Sequence, residues 1–112
     1  MSLYAELTID QGTTFANEIN LTNDDSSPKD ITGYSFESQI RKSYYSTNPT
    51  ANIDITITSE AGGNIRMSID SANTANIKAG RYLYDLKMTT DEGIVTRIIE
   101  GIITVTPQVS KP

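Results

Sequence analysis

Tyr82, Tyr84, Leu86 and Met88 fall at every second position of residues 77–88, and Arg81, Asp85 and Lys87 fill places between them. Successive side chains of an extended chain point to opposite faces, so this stretch is a strand with one buried face and one wet face. Ile77 and Gly80 precede it. An apolar anchor followed by Gly-x-Tyr at the opening of a strand is the pattern of a tyrosine corner in two-sheet β domains. There the hydroxyl bonds back to the backbone of the preceding turn. Gly80 and Tyr82 are therefore the candidate structural corner. The competing reading makes Tyr82 a packed core residue only.

The same alternation recurs along the chain. Leu3, Ala5, Leu7 and Ile9 share one side of a first strand, and Phe15, Ile19 and Leu21 face inward on the next, with Asn17 among them. Tyr34, Phe36, Ser38 and Ile40 share a face. Ile53, Ile55 and Ile57 form the cleanest period-two run, and Ile65, Met67 and Ile69 return after the turn around Gly62-Gly63. Asp70 or Ser71 can cap one helical turn, with Ala72, Ala75 and Ile77 directed inward. The last strand, residues 94–106, breaks parity. Ile94, Ile98 and Ile102 fall on one face and Ile99, Ile103 and Val105 on the other, with Gly101 between them. Either a bulge near residues 99–101 turns both halves to the core, or the strand is covered on both faces, which requires a partner. It is also a candidate for edge pairing.

Thr, Ser, Ile and Asn are abundant and helix formers rarely adjoin, which suits pleated surfaces. With about seven strands and turns roughly every eight to twelve residues, the expected class is all-β. The architecture expected is an immunoglobulin-like two-sheet antiparallel sandwich of about seven strands, with one short helical turn near residues 71–77. An SH3-like or OB-type barrel is the alternative, and it calls for a clearer pattern of strand-bending glycines. The 112 residues suffice for a single domain over 1–112 with 107–112 as a loose tail. Met1-Ser2-Leu3 reads as partly an expression scar ahead of a natural start near Tyr4.

Composition excludes much chemistry. The chain has no Cys and no His, so the usual zinc, copper and haem ligands are missing, as is the commonest general base near neutral pH. Its formal net charge is -5, and its nine basic residues are scattered, whereas a phosphate backbone needs a concentrated basic face. No nucleic-acid partner is expected. The apolar runs are too short to span a bilayer and no charged-then-apolar leader opens the chain, so no membrane partner is expected either.

Asp54 and Asp85 lie on outward strand positions, and Glu37 with Arg41 or Asp85 with Arg97 can form surface ion pairs. Gly62-Gly63 lacks the Lys-Ser/Thr of a phosphate loop. Asn20-Leu21-Thr22 fits an N-glycosylation acceptor. The carboxylates of residues 23–30 allow a calcium loop, but the spacing of an EF-hand is absent, and a solvated hairpin tip explains them. Catalysis, a cofactor and a metal are not expected. Tyr44 and Tyr45 adjoin in a loop over residues 43–50 with Pro49. They are candidate partner contacts, or one ring lids the end of the sandwich.

Four segments in order carry a resemblance: Leu7-Thr8-Ile9-Asp10-Gln11-Gly12-Thr13-Thr14-Phe15, Asp30-Ile31-Thr32-Gly33-Tyr34-Ser35-Phe36-Glu37-Ser38-Gln39-Ile40-Arg41-Lys42, Ala79-Gly80-Arg81-Tyr82-Leu83-Tyr84-Asp85-Leu86 and Val95-Thr96-Arg97-Ile98-Ile99-Glu100-Gly101-Ile102-Ile103-Thr104-Val105-Thr106-Pro107. Together they resemble small β-sandwich virion proteins of tailed bacteriophages. They are similar to the N-terminal domain of baseplate upper proteins and to short structural proteins of marine T4-like phages. The resemblance implies a non-enzymatic structural component of a virion without fixing its place as baseplate, tail, neck or capsid surface; the tail or baseplate is the place expected, with assembly in the host cytoplasm. Its partners would be other virion subunits, and a homo-oligomer is expected. Decoration of the capsid surface and a glycan-binding adhesion module are the alternatives.

Overall fold

In the computed structural model of the protein, residues 3–23, 25–43 and 48–109 are described. The elements follow in the order β1 (Leu3–Tyr4), β2 (Leu7–Asp10), β3 (Phe15–Asn20), β4 (Ser35–Arg41), β5 (Ala51–Ser59), β6 (Asn64–Ile69), α1 (Ser71–Thr74), β7 (Gly80–Thr89) and β8 (Val95–Thr106). Two layers form because each strand alternates. In the first layer β1 and β2 lie beside β8, which lies beside β7, then β4. In the second, β3 pairs with β6 and β6 with β5. β5 joins both. Ala51, Asn52 and Ile53 pair with β4, and from Asp54 the strand pairs with β6 instead. The inward faces meet in one core that includes Ile9, Phe15, Ile40, Ile65, Met67, Leu86 and Ile103.

Three details depart from expectation. First, the sandwich is not wholly antiparallel: β1 and β2 run parallel to β8, in unbroken register from Leu3↔Ile99 to Asp10↔Thr106. The last strand is therefore an interior strand, and the N-terminal strands occupy the edge it was expected to offer. Second, the bulge falls at Ile98, ahead of residues 99–101, because the pairing with β7 passes from Leu86↔Ile99 to Lys87↔Arg97. Beyond it Ile99, Ile103 and Val105 are buried, whereas Ile94 and Val95 ahead of it are each 59% exposed. The extra residue corrects the parity of only one half. Third, α1 turns Thr74 inward, and Ala72 and Ala75 are exposed. Asp70 caps the turn by accepting from the Asn73 N–H at 2.9 Å. The Thr74 hydroxyl donates to the Thr13 carbonyl at 2.6 Å, and this bond to the start of β3 sets which side faces in.

The N-terminal strands are fixed by a contact that spans three strands. Tyr84 pairs with Gly101, and the Ala5 carbonyl stands where a Gly101 side chain would be, 1.9 Å from an ideal Cβ. With that space open, the Tyr84 hydroxyl reaches past β8 and donates to the Ala5 carbonyl at 2.8 Å. Burial, and secondly the neighbouring Tyr4 phenol, push the Tyr84 pKa up to about 12. A phenol whose pKa is raised on folding contributes stability that is intact below its unfolded value and is lost as pH climbs through the folded one.

Replacing Gly101 by Ala is expected to cost at least about 2 kcal/mol, because backbone must move to admit the methyl. A urea midpoint that does not fall would show that the strand adjusts freely. In ultraviolet titration one tyrosine, Tyr84, should ionise near 12. Wild-type stability should decline between the unfolded tyrosine value of about 10 and that point, and the decline should be shallower in Tyr84→Phe.

Candidate interaction surface

The corner lies where β7 begins. Gly80 has φ of 147°, a backbone region that favours glycine, and this lets the chain swing from the turn after α1 into the first sheet. Two residues on, the Tyr82 hydroxyl donates to the Lys78 carbonyl at 2.6 Å. The ring is buried on its inner side and covered by Lys42, whose Nζ lies 4.7 Å from the ring centre and 3.4 Å from the Arg81 carbonyl. Lys42 immediately follows β4, so the corner also holds one stem of the loop over residues 43–50. The other stem is held by the Thr50 N–H, which donates to the Ile40 carbonyl at 2.7 Å. Tyr44 and Tyr45, the candidate contact residues, lie outside the described residues. Nothing in the sequence around Arg41-Lys42 marks Lys42 as the partner of a ring forty residues away. Only the pairing of β4 with β7 brings them together.

The acidic loop is organised around its own backbone. Asp25 accepts from the Ser27 hydroxyl at 2.6 Å and its N–H at 3.0 Å, and Asp30 accepts from Thr32 in the same way at 2.6 and 3.0 Å. These bonds, hydroxyl first, hold both carboxyls below their ordinary range. Both groups are engaged in turns two residues long, the usual use of Asp at such places. Among the described residues no three acidic side chains gather as a metal site would require.

The outer face of the first sheet is a shallow depression of about 230 Å³ bordered by outward residues of β4, β7 and β8. Arg97 lies 3.4 Å from Asp85 and 2.9 Å from Glu100, and Arg41 donates to Gln39 at 2.9 Å. The ion pair of Asp85 with Arg97 anticipated from sequence forms. Asp54 borders a different groove beside Asn52, Asn73 and Asn76, so the two strand aspartates do not converge. This face presents charges of both signs.

No family model matches the chain, and no curated protein matches it. Among solved structures it is similar to the filamin domain of Lin-41, with a TM-score of 0.50 and 13% identity over 88% of this chain and 82% of that one. Identity that low concerns the fold alone. The chain is an all-β, immunoglobulin-like sandwich.

Replacing Tyr82 by Phe should lower unfolding stability by about 1 kcal/mol, the usual worth of one such hydrogen bond with its partner left unpaired. An unchanged melting curve would show that the hydroxyl contributes nothing and that packing alone holds the ring.

Proposed function

We propose that this protein is a non-enzymatic assembly module, a structural component of a bacteriophage virion, and that its place is the tail or baseplate. Support for the virion setting comes from the ordered sequence resemblance over residues 7–107. Support for an assembly role comes chiefly from one observation. The loop that bears Tyr44 and Tyr45 springs from two stems, both tied to the sheet, one by Lys42 on the tyrosine corner and one by Thr50. A loop rooted on a rigid frame loses less freedom on docking than a free one, so more of its contact energy appears as affinity. Tyrosine is among the residue types that most often dominate a protein contact.

The mechanism is geometric. The sandwich holds its shape through a buried core and offers loops and strand faces to neighbouring subunits, with no reaction step. Mass spectrometry of the purified particle should detect the chain at a fixed copy number relative to a tail or baseplate subunit. Its absence from the particle would overturn the virion reading. Replacing Tyr44 and Tyr45 together by Ser should leave the melting temperature nearly unchanged and weaken incorporation into the particle by at least about tenfold, as for loss of a contact worth roughly 1.4 kcal/mol. A collapse of thermal stability would instead make these rings part of the core.

A further inference from the structure

The outward face of the first sheet is self-complementary, and we propose that it is the contact face for a second copy of this chain. Strand register places its side chains in rows. The outward residues along β8 include Val95, Arg97, Glu100 and Ile102, the bulge at Ile98 absorbing the odd residue. Beside them in the same rows of β7 stand Thr89, Lys87, Asp85 and Leu83. The order along β8 is apolar, cationic, anionic, apolar. Along β7 it is neutral, cationic, anionic, apolar, and the row beyond holds Arg81 of β7 beside Thr104 of β8.

An isologous contact requires this order. A two-fold axis lying in the face, across the strands and between the cationic and anionic rows, sets each row of one copy against its opposite in the other. Arg97 of one copy then meets Glu100 of the other, and Lys87 meets Asp85. Val95 meets Ile102, and Thr89 meets Leu83. Each pairing occurs twice. On β4 the rows continue as Ser35, Glu37, Gln39 and Arg41, so that Glu37 faces Gln39 and Arg41 faces Ser35, and no like charges are set face to face. The stacked sheets run with β8 over β8 in opposite directions, compatible with the aligned packing that twisted sheets adopt.

Other properties of the face agree. Val95 is 59% exposed although it lies in a strand. Lys87 forms no ion pair with a described residue of its own chain. Arg97 already contacts Asp85 and Glu100 in its own chain, and a guanidinium with five donors can keep those contacts and donate to a facing carboxylate as well. The inference names one contact for the assembly module proposed above and rests on that reading only for its biological use. A dimer through this face would form whether or not the chain belongs to a virion.

The test is the mass of the full chain by size-exclusion chromatography with light scattering, over a range of concentration and salt. The wild type should be a dimer that weakens as salt rises. Lys87→Asp and Asp85→Lys should each raise the dimer dissociation constant by more than about a hundredfold, since each sets like charges face to face at two places. Mixed in equal amounts, these two variants should form a one-to-one dimer, because every facing pair is then opposite in sign. Thermal melts establish that each variant is folded. If one is not, Arg97→Glu and Glu100→Arg give the same test in the adjoining column. A wild type that stays monomeric at high concentration overturns the proposal. So does a dimer indifferent to either reversal, or a mixture of the two variants that stays monomeric. The particle measurement above is independent of these outcomes, so failure of one leaves the other standing.

Discussion

The first sheet can close only because Gly101 has no side chain. β8 lies inside the sheet, and its outer neighbour is the N-terminal chain running parallel to it. At Ala5 that chain turns its carbonyl into the space over Gly101, where the Tyr84 hydroxyl bonds it. This one contact joins three strands and fixes the register that buries Leu7 and Ile9 against the core. A slip of one residue would send both to water, because side chains alternate. The far end of the same pairing is tied by Gln11, which donates to the Ile77 carbonyl at 2.8 Å and accepts from the Gln108 N–H at 3.2 Å.

In the proposed assembly module, energetic weight and recognition are divided between two faces of one sheet. The inner face excludes water, and at about 25 cal/mol per Å² of buried apolar surface it supplies most of the stability. The outer face carries Arg97, Asp85 and Glu100 in exposed or half-exposed pairs, which are worth about 0–1 kcal/mol. Charges that contribute so little to folding are free to vary with little effect on the fold. The corner links the two roles, since Tyr82 is part of the core on one side and supports Lys42, and with it a loop stem, on the other.

Much of the architecture was legible because local patterns and tertiary burial agree. The runs Ile53-Ile55-Ile57 and Ile65-Met67-Ile69 became the adjoining strands β5 and β6, and Asp70 caps the expected turn. The patterns did not reveal what depends on distant partners. Gly101 in an isoleucine-rich strand signalled an irregularity, but its cause is the backbone of Ala5, which no local window contains. Ala72 and Ala75 were expected to face inward, but Thr74 takes the inward place, its hydroxyl bonded to the Thr13 carbonyl. The parallel placement of the N-terminal strand was invisible because its period of two is the same in either direction. As to the candidate surface, the pair Asp85 and Arg97 could be anticipated, whereas the rows that set Arg97 above Glu100 emerge only once the bulge at Ile98 is placed.

The parallel pairing of the first and last strands also governs how the domain answers a pull. Leu3 lies at one end of the ladder and Thr106 at the other, and the two strands run in the same direction. Tension drawn outward through these two points slides β2 along β8, so their hydrogen bonds are strained together and must rupture nearly at once. Strands peeled from one end would instead release their bonds one after another at lower force. A unit strung between moving neighbours by these ends is therefore stiff along its length.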